Sequence, residues 1–411
     1  MDGSGRPALA DEVGQVALTR GGVPLAALLG TFIYTSGSAF LLGGVAAGGR
    51  VIGLGEVAAG AILSGGSLAA VVTAPGWGYA ADRWGLRQLT LLALIMVAAA
   101  PAAMALAFGN AAQLTIAVVF AVLLAARLVQ AAFGAALIPV TQTYVARLTS
   151  PDRRINGMGI MGAVVSSGTV IGSALLWLAA PLGMSAGFGI VAGLGVAAFA
   201  FAVYRLPEVT LEPSVATARE SMPIGRIWPS LAVTVVGYAA YTMVQPLIGL
   251  RLMDRYGLAT ADAIGQAGLI LTIGSLALVA SQALVAAVRA RWGTSTLLVG
   301  GSIAGLVCVF GAIVAPNVVA LGVAMGLVGL SFGVVAPANL AMLSLSTGRR
   351  AQGRVGGINA AARGAGIALG PITGTLLYRS GHDLPFVVAA GLIGVMAVLG
   401  MVGAKAGRAG G

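Results

Sequence analysis

Polar residues interrupt this chain at intervals, and between the interruptions run stretches of about 20 apolar residues, the length of helix that crosses the hydrocarbon core of a bilayer. Twelve stretches are discernible, near 24–46, 56–78, 88–108, 113–146, 157–180, 184–204, 228–250, 262–288, 294–315, 318–345, 355–378 and 384–403. Helices satisfy their own backbone hydrogen bonds, as lipid demands. The pattern therefore predicts an all-α membrane protein of twelve transmembrane helices. Its one long polar interruption, 205–227, carries prolines and alternating charges that suit a cytoplasmic linker. That linker separates a six-helix bundle over 1–204 from a second over 228–411.

Polar positions inside the spans repeat between the halves. Thr31, Tyr34, Thr35 and Ser38 are spaced i, i+3, i+4, i+7, which is one helical face. Tyr238, Tyr241, Thr242 and Gln245 keep the same spacing, each 207 residues later. Glu56 opens the second helix and Asp262 the eighth, 206 residues on, and Arg83-Trp-Gly85 recurs 208 residues on at Arg291–Gly293. Pro139 and Pro337 are 198 apart, as are the pairs Gly168/Gly172 and Gly366/Gly370. Five matches in one order indicate duplication. Parallel six-helix repeats with substrate held between them are a transporter architecture. The two polar stripes either bond to neighbouring helices or line an aqueous central cavity; their symmetry and their tyrosines favour the cavity.

Composition sharpens the membrane reading. The chain is 58% hydrophobic and only 9% charged, and its 63 glycines suit closely packed membrane helices. A formal charge of +11 invites comparison with nucleic-acid binders, but its distribution argues otherwise. With the N-terminus cytoplasmic, seventeen Arg and Lys fall inside, against Arg50, Arg251, Arg255 and Arg379 outside. That bias is a topology signal. It predicts a multi-pass protein of the cell membrane with both termini cytoplasmic, and no nucleic-acid partner. The first 20 residues read as polar and uncleaved. Cys308 is alone, so neither a disulfide framework nor a thiolate metal cluster is expected, and no cofactor.

The densest charge lies in PGWGYAADRWGLRQL, Pro75 to Leu89. Gly78, Asp82, Arg83, Gly85 and Arg87 there resemble the "GxxxDRxGR[RK]" loop between helices two and three of the major facilitator superfamily. Arg127-Leu-Val-Gln130 is similar to that family's "RxxQG" on helix four, with Ala131 in place of the glycine. Gly366–Thr375, with Gly370, Pro371 and Gly374, looks like "GxxxGPxxGG". In drug:proton antiporters that motif belongs on helix five, where this chain has only Gly168–Ser173. Gln352–Gly357 (QGRVGG) also resembles drug-efflux members. The resemblance implies alternating access, with the basic loop as a latch that closes the cytoplasmic side and favours the outward-facing state. Gly78 leaves room for a partner helix, Gly85 permits the turn, and Arg83 and Arg87 can hold carboxylates or lipid phosphates. Asp82 can meet the N-terminal dipole of helix eleven, an attraction of about 0.3–1 kcal/mol. A solvated basic loop serving topology alone is the other reading. Leu86 stands where the family has a basic residue, and Arg147 where it has an acid, so Arg147 is expected to reach Asp82 instead. In the second half Ala290 occupies the Asp position.

Arg127 and Arg363 lie near mid-span, where an arginine costs roughly 2.5–3.5 kcal/mol on insertion scales. Arg127 either bonds to backbone carbonyls or Gln130 or, as the family motif implies, serves a proton path or substrate; Arg363 is either structural or functional, and if both face the cavity they suit an anionic or zwitterionic substrate. None of the twelve Asp and Glu lies deep in a span. Glu56 and Asp262, at outer helix ends, are either first-turn acids favoured by the dipole, Asp262 with Thr260 as its N-cap, or proton carriers. His382, the only histidine, falls in an outer loop. The spans hold no paired acids, metal cluster or nucleophile with a base, so an enzyme is not expected, and no P-loop is present to drive an ATP pump. The first reading is a monomeric exporter of a small amphiphilic molecule driven by inward protons. Tyr34, Tyr238 and Tyr241 would stack on that molecule, and Thr35, Thr242, Gln245 and Gln130 would bond it. The alternative is an uptake carrier or facilitator for an organic anion, using Arg127 and Arg363.

Overall fold

The apolar runs are helical throughout. The computed structural model describes residues 24–149, 151–209, 224–288, 291–347 and 352–408. The helices of the first half are α1 Leu25–Val51, α2 Glu56–Trp84, α3 Leu86–Gly109, α4 Ile116–Leu148, α5 Pro151–Ala179 and α6 Gly183–Arg205. Those of the second are α7 Ile224–Val244, α8 Leu247–Tyr256, α9 Thr260–Val288, α10 Thr294–Val314, α11 Val318–Leu345, α12 Gln352–Ser380 and α13 Leu384–Arg408. Ten segments are long and apolar enough to span a membrane, and one of them, Asn156–Arg205, holds both α5 and α6. The twelfth span is α12, whose many glycines and polar residues lower its hydropathy although it packs between α2 and α7.

The seventh span departs from expectation. Gln245 and Pro246 interrupt it, leaving α7 and the short α8. Proline has no N–H to donate and its ring clashes with the preceding turn, so a break here follows from the sequence. Residues 224–227, expected in the linker, already belong to α7. The rest of the linker from 210 to 223, the first 20 residues and Ala290 lie outside the described residues.

The two halves pair their helices alike. In the first, α1 packs on α5, α2 on α4, and α3 on both α4 and α6; in the second, α7 packs on α12, α9 on α11, and α10 on both α11 and α13. The glycine motifs explain the tightest of these pairs. A Cβ at Gly370 would stand 2.7 Å from the Ala239 carbonyl oxygen, and Cβ atoms at Gly366 and Gly374 would crowd the carbonyls of Val235 and Met243. Gly168 and Gly172 press likewise on Phe32, Thr35 and Ser36 of α1. Small residues let backbones approach where lipid provides no hydrophobic drive between helices.

Across the halves, α2 meets α12 and α5 meets α9. Pro371 interrupts the α12 ladder, and the next N–H, of Ile372, donates across to Ser64 Oγ at 3.0 Å. One buried apolar cluster joins the halves at the end bearing Arg50: Phe40 and Ala47 share it with Leu247, Leu250, Ile264 and Tyr378. Toward the end bearing Asp82 the buried clusters belong to single halves, Ala80, Leu89 and Tyr144 in one and Ile227, Leu343 and Val355 in the other. The bundles are fused at one end and parted at the other.

Candidate functional site

The parting leaves a cleft that opens at the Asp82 end. Glycines 76 and 78 on α2, 159 and 162 on α5, and 356 and 357 on α12 face open space. Moving inward, Val71 against Gly364 begins the contact between α2 and α12.

In the second half an aromatic stack borders this cleft. Tyr241 stacks on Phe332 with centroids 4.4 Å apart and planes 3° from parallel. Tyr238 meets the same ring edge-on at 5.0 Å, and the Arg363 guanidinium lies 5.1 Å from the Tyr238 centroid. Arg363 is exposed, into a cavity of about 310 Å³ that it lines with Tyr238, Phe332, Thr234, Asn339 and Asn359. Thr234 Oγ1 donates to Asn359 Oδ1 at 2.7 Å and accepts from Asn339 Nδ2 at 2.9 Å.

Not every residue of the two polar stripes reaches that space. Thr242 is buried, donates to the Tyr238 carbonyl at 2.7 Å and faces Gly370. Thr35 donates to the Phe32 and Thr31 carbonyls at 2.9 and 3.0 Å and faces Gly168. Both threonines thus serve the glycine grooves. A threonine hydroxyl in a helix bonds readily to the carbonyl one turn back. Tyr34 lays its ring on Gly134 of α4, and Gln245 is buried at the α7–α8 break.

Arg127 crosses the first half at mid-depth over Gly66, which leaves room for the guanidinium. It is 7% exposed, and its Nη1 donates to Gln130 Oε1 at 2.9 Å and to Ser38 Oγ at 3.3 Å. Arg127 Nε and Gln130 Nε2 find no acceptor. The two residues are brought together, but inside the bundle and away from Arg363. Direct contact of either with substrate, as expected from the sequence, is not available in this conformation.

The closed end is held by groups that sequence reasoning left apart. Arg50 of α1 donates through Nη2 to Glu56 Oε1 and through Nη1 to Asp254 Oδ1 of α8, each at 2.6 Å. Tyr378 of α12 donates to the other Asp254 oxygen at 2.7 Å, its ring stacked on His382. Burial would raise the Asp254 carboxyl, but the hydrogen bonds from Arg50 and Tyr378 outweigh it and hold the group below the usual carboxylate range. Glu56, a candidate proton carrier, is thus bound to Arg50, while Asp262 is exposed in the first turn of α9, a helix that begins at Thr260. Nearby, Arg251 is 1% exposed; it pairs with Asp383 at 2.6 Å and caps α10 through the carbonyls of Ala312 and Ile313. No motif marks Arg50 and Asp254, 204 residues apart, as partners. Asn339 and Asn359 did carry a signal, as amides within apolar spans.

At the open end Asp82, Arg83 and Arg147 are exposed, and no ion pair joins Asp82 to Arg147. Arg87 finds its partners within its own half. It donates to the Val203 and Leu206 carbonyls at 2.8 and 3.1 Å, capping α6 of its own bundle, with Glu208 at 3.6 Å. Gly85 separates α2 from α3 at φ 81° and ψ 154°, a conformation open essentially to glycine alone.

The arrangement has parallels. Three solved structures share the fold at low identity. A D-xylose–proton symporter aligns at 14% identity over 91% of this chain and 94% of its own, with a TM-score of 0.74. The nucleoside transporter NupG aligns at 15% over 93% and 98%, with a TM-score of 0.69. The human organic anion transporter MFSD10 (TETRAN) aligns at 19% over 93% and 99%, with a TM-score of 0.65. Among curated proteins none matches the sequence significantly. The sequence model of one family matches twice, over residues 26–263 and 230–408, as expected of a duplicated chain. With its two like-paired bundles around a one-ended cleft, the chain belongs to the Major Facilitator Superfamily and is a membrane transporter, not an enzyme.

Proposed function

We propose that this protein is a secondary transporter of the cell membrane that exports a small amphiphilic molecule by alternating access, in exchange for protons. The observation that carries the reading is the apolar core, continuous between halves at the Arg50 end and divided at the Asp82 end, with a cavity lined by the second half. A cleft closed at one end is one of the two states a rocking pair of bundles visits. The excess of Arg and Lys at the Asp82 end makes that end cytoplasmic, with both termini inside, and this conformation inward-facing. The loop of Gly78, Asp82, Arg83 and Gly85, with Arg147, then forms its latch only after the cleft closes. Export and proton exchange rest on the likeness of Gly366–Thr375 and Gln352–Gly357 to drug:proton antiporters. Among the described residues every Asp and Glu lies at a helix end or in a loop, so the carboxylates open to coupling are those at outer helix ends, Glu56 and Asp262.

The test is transport in proteoliposomes with and without a pH gradient, across cationic drugs and organic acids. Acceleration of one compound class by the gradient is the expected result. Movement indifferent to pH would remove the antiport, and no counterflow of any of these compounds would remove the proposed substrate class. A second reading, an uptake carrier or facilitator for an organic anion, is favoured by one observation: Arg363 faces the cavity with no carboxylate beside it. The MFSD10 neighbour, named an organic anion transporter, points the same way. Cells making the protein would accumulate labelled organic acid under this reading and lose dye under the first.

A further inference from the structure

We propose that the cavity in the second half is the subsite for the charged group of the transported molecule, with Arg363 and Asn359 as an anion clamp. Its ligand class is a small carboxylate on a flat apolar or aromatic body. The proposal rests on the transporter reading and gives it a substrate chemistry.

Arg363 and Asn359 stand one turn apart on α12, where side chains i and i+4 share a face. Among the described residues Arg363 makes no hydrogen bond or ion pair and lies over the face of Tyr238, so its planar fork of five N–H donors is open to a ligand. What Asn359 presents is set by its neighbours. Asn339 spends its Nδ2 donors on the Ser230 carbonyl and on Thr234 Oγ1, each at 2.9 Å. Thr234 has two acceptors within reach, and Asn359 Oδ1 at 2.7 Å is nearer than the Ser230 carbonyl at 3.1 Å. The chain of bonds therefore runs one way, from Asn339 through Thr234 to the Asn359 oxygen, and leaves Asn359 Nδ2 as a donor toward the cavity. Two donors and a fixed positive charge on one helical face match a group that only accepts, and a carboxylate is such a group.

The surroundings exclude the opposite charge. Among the described residues no Asp or Glu lines the cavity, so a cation would sit beside Arg363 without compensation. Phe332, Val335, Leu340 and Met396 make most of the remaining wall apolar, with Gln282 as its other polar side chain, and a flat body stacks on such a surface at little entropic cost. A volume of about 310 Å³ lies at the small end of ligand pockets. Arg127 does not take part, because it is buried among Gln130, Ser38 and Gly66 of the other half.

The full chain in nanodiscs of phosphatidylcholine alone, where no anionic lipid competes, would be titrated with three probes of equal size: 2-naphthoate, 2-naphthamide and 2-naphthylmethylammonium. The naphthoate should bind about tenfold or more tighter than the other two, the scale of a lost charge-assisted bond. Arg363→Gln should erase that preference, and Asn359→Ala should weaken naphthoate while sparing naphthamide. Arg363→Lys keeps the charge without the fork, and should retain part of the preference if Arg363→Gln proves unstable. Equal binding of the three probes, no naphthoate binding, or an undiminished preference in a folded Arg363→Gln protein overturns the subsite. Spin labels at Tyr79 and Leu345 separate this failure from that of the broader reading. If they report exchange between open and closed populations while the probes bind alike, only the subsite is wrong. If they report one rigid state under every condition, the alternating-access reading fails, and with it the assignment of any bound anion as substrate.

Discussion

Neutralising Asp254 is the most direct test of the closed end. Its oxygens accept from Arg50 on the opposite bundle at 2.6 Å and from Tyr378 at 2.7 Å, and the Arg50 and Asp254 side chains are 27% and 19% exposed. Hydrogen bonds to charged groups contribute about 1.5–3 kcal/mol when shielded, and exposed ion pairs about 0–1. This partly shielded pair should therefore favour the closed end by roughly 1–2 kcal/mol, a factor of about 5–30 in the balance of states. Asp254→Asn keeps the shape and removes the charge. With Cys308 replaced, spin labels at Gln113 and Ala261, exposed positions at this end on opposite halves, read the separation. The variant should move population toward a longer distance by that factor, while labels at Tyr79 and Leu345 move to a shorter one. Arg50→Gln should act in the same direction. The double variant should add little to either, since one interaction is removed twice. If the distance distributions of Asp254→Asn match those of the parent, the brace does not hold the closed end and the reasoning fails.

Acid should act as the mutation does. Because Asp254 is held below the usual carboxylate range only while the brace is formed, its contribution is complete above that range and is lost as pH falls through the depressed value. The same labels should report opening only in strong acid, with no change between neutral and mildly acidic pH. Gly85→Ala should lower the melting temperature in detergent, since φ 81° with ψ 154° costs a non-glycine residue about 1–3 kcal/mol. Gly370→Val should destabilise by about 1–3 kcal/mol, because its branches meet Thr242 and the Ala239 carbonyl. Gly78→Val, facing open space, should leave the melting temperature unchanged while slowing transport if α2 must be approached when the cleft closes.

Much of this architecture was legible without coordinates. Apolar runs of helical length gave the spans, and matched offsets such as 198 for Gly168/Gly172 and Gly366/Gly370 gave the duplication. Those glycines do line equivalent grooves, against α1 and α7. The period of a helix places Tyr238 and Thr242 on one stripe, but a period of 3.6 says nothing of which neighbour each side chain meets. Thr242 turns its hydroxyl to the Tyr238 carbonyl and a glycine groove, and the Tyr238 ring faces the cavity. Composition likewise told that Arg127 and Arg363 lie at depth, not that one is enclosed by Gln130 and Ser38 while the other is open to the cleft.

What the chain alone determined is therefore what depends on local length, periodicity and solvent: helices that span lipid, a repeat, and basic residues gathered at one end. Which end is shut was decided by the tertiary structure. Arg50 and Asp254 meet across 204 residues of chain, and under the proposed alternating access that meeting belongs to only one of two packings of the halves. Both packings are built from the same helices, so a sequence that encodes the pair of them cannot by its pattern single out one.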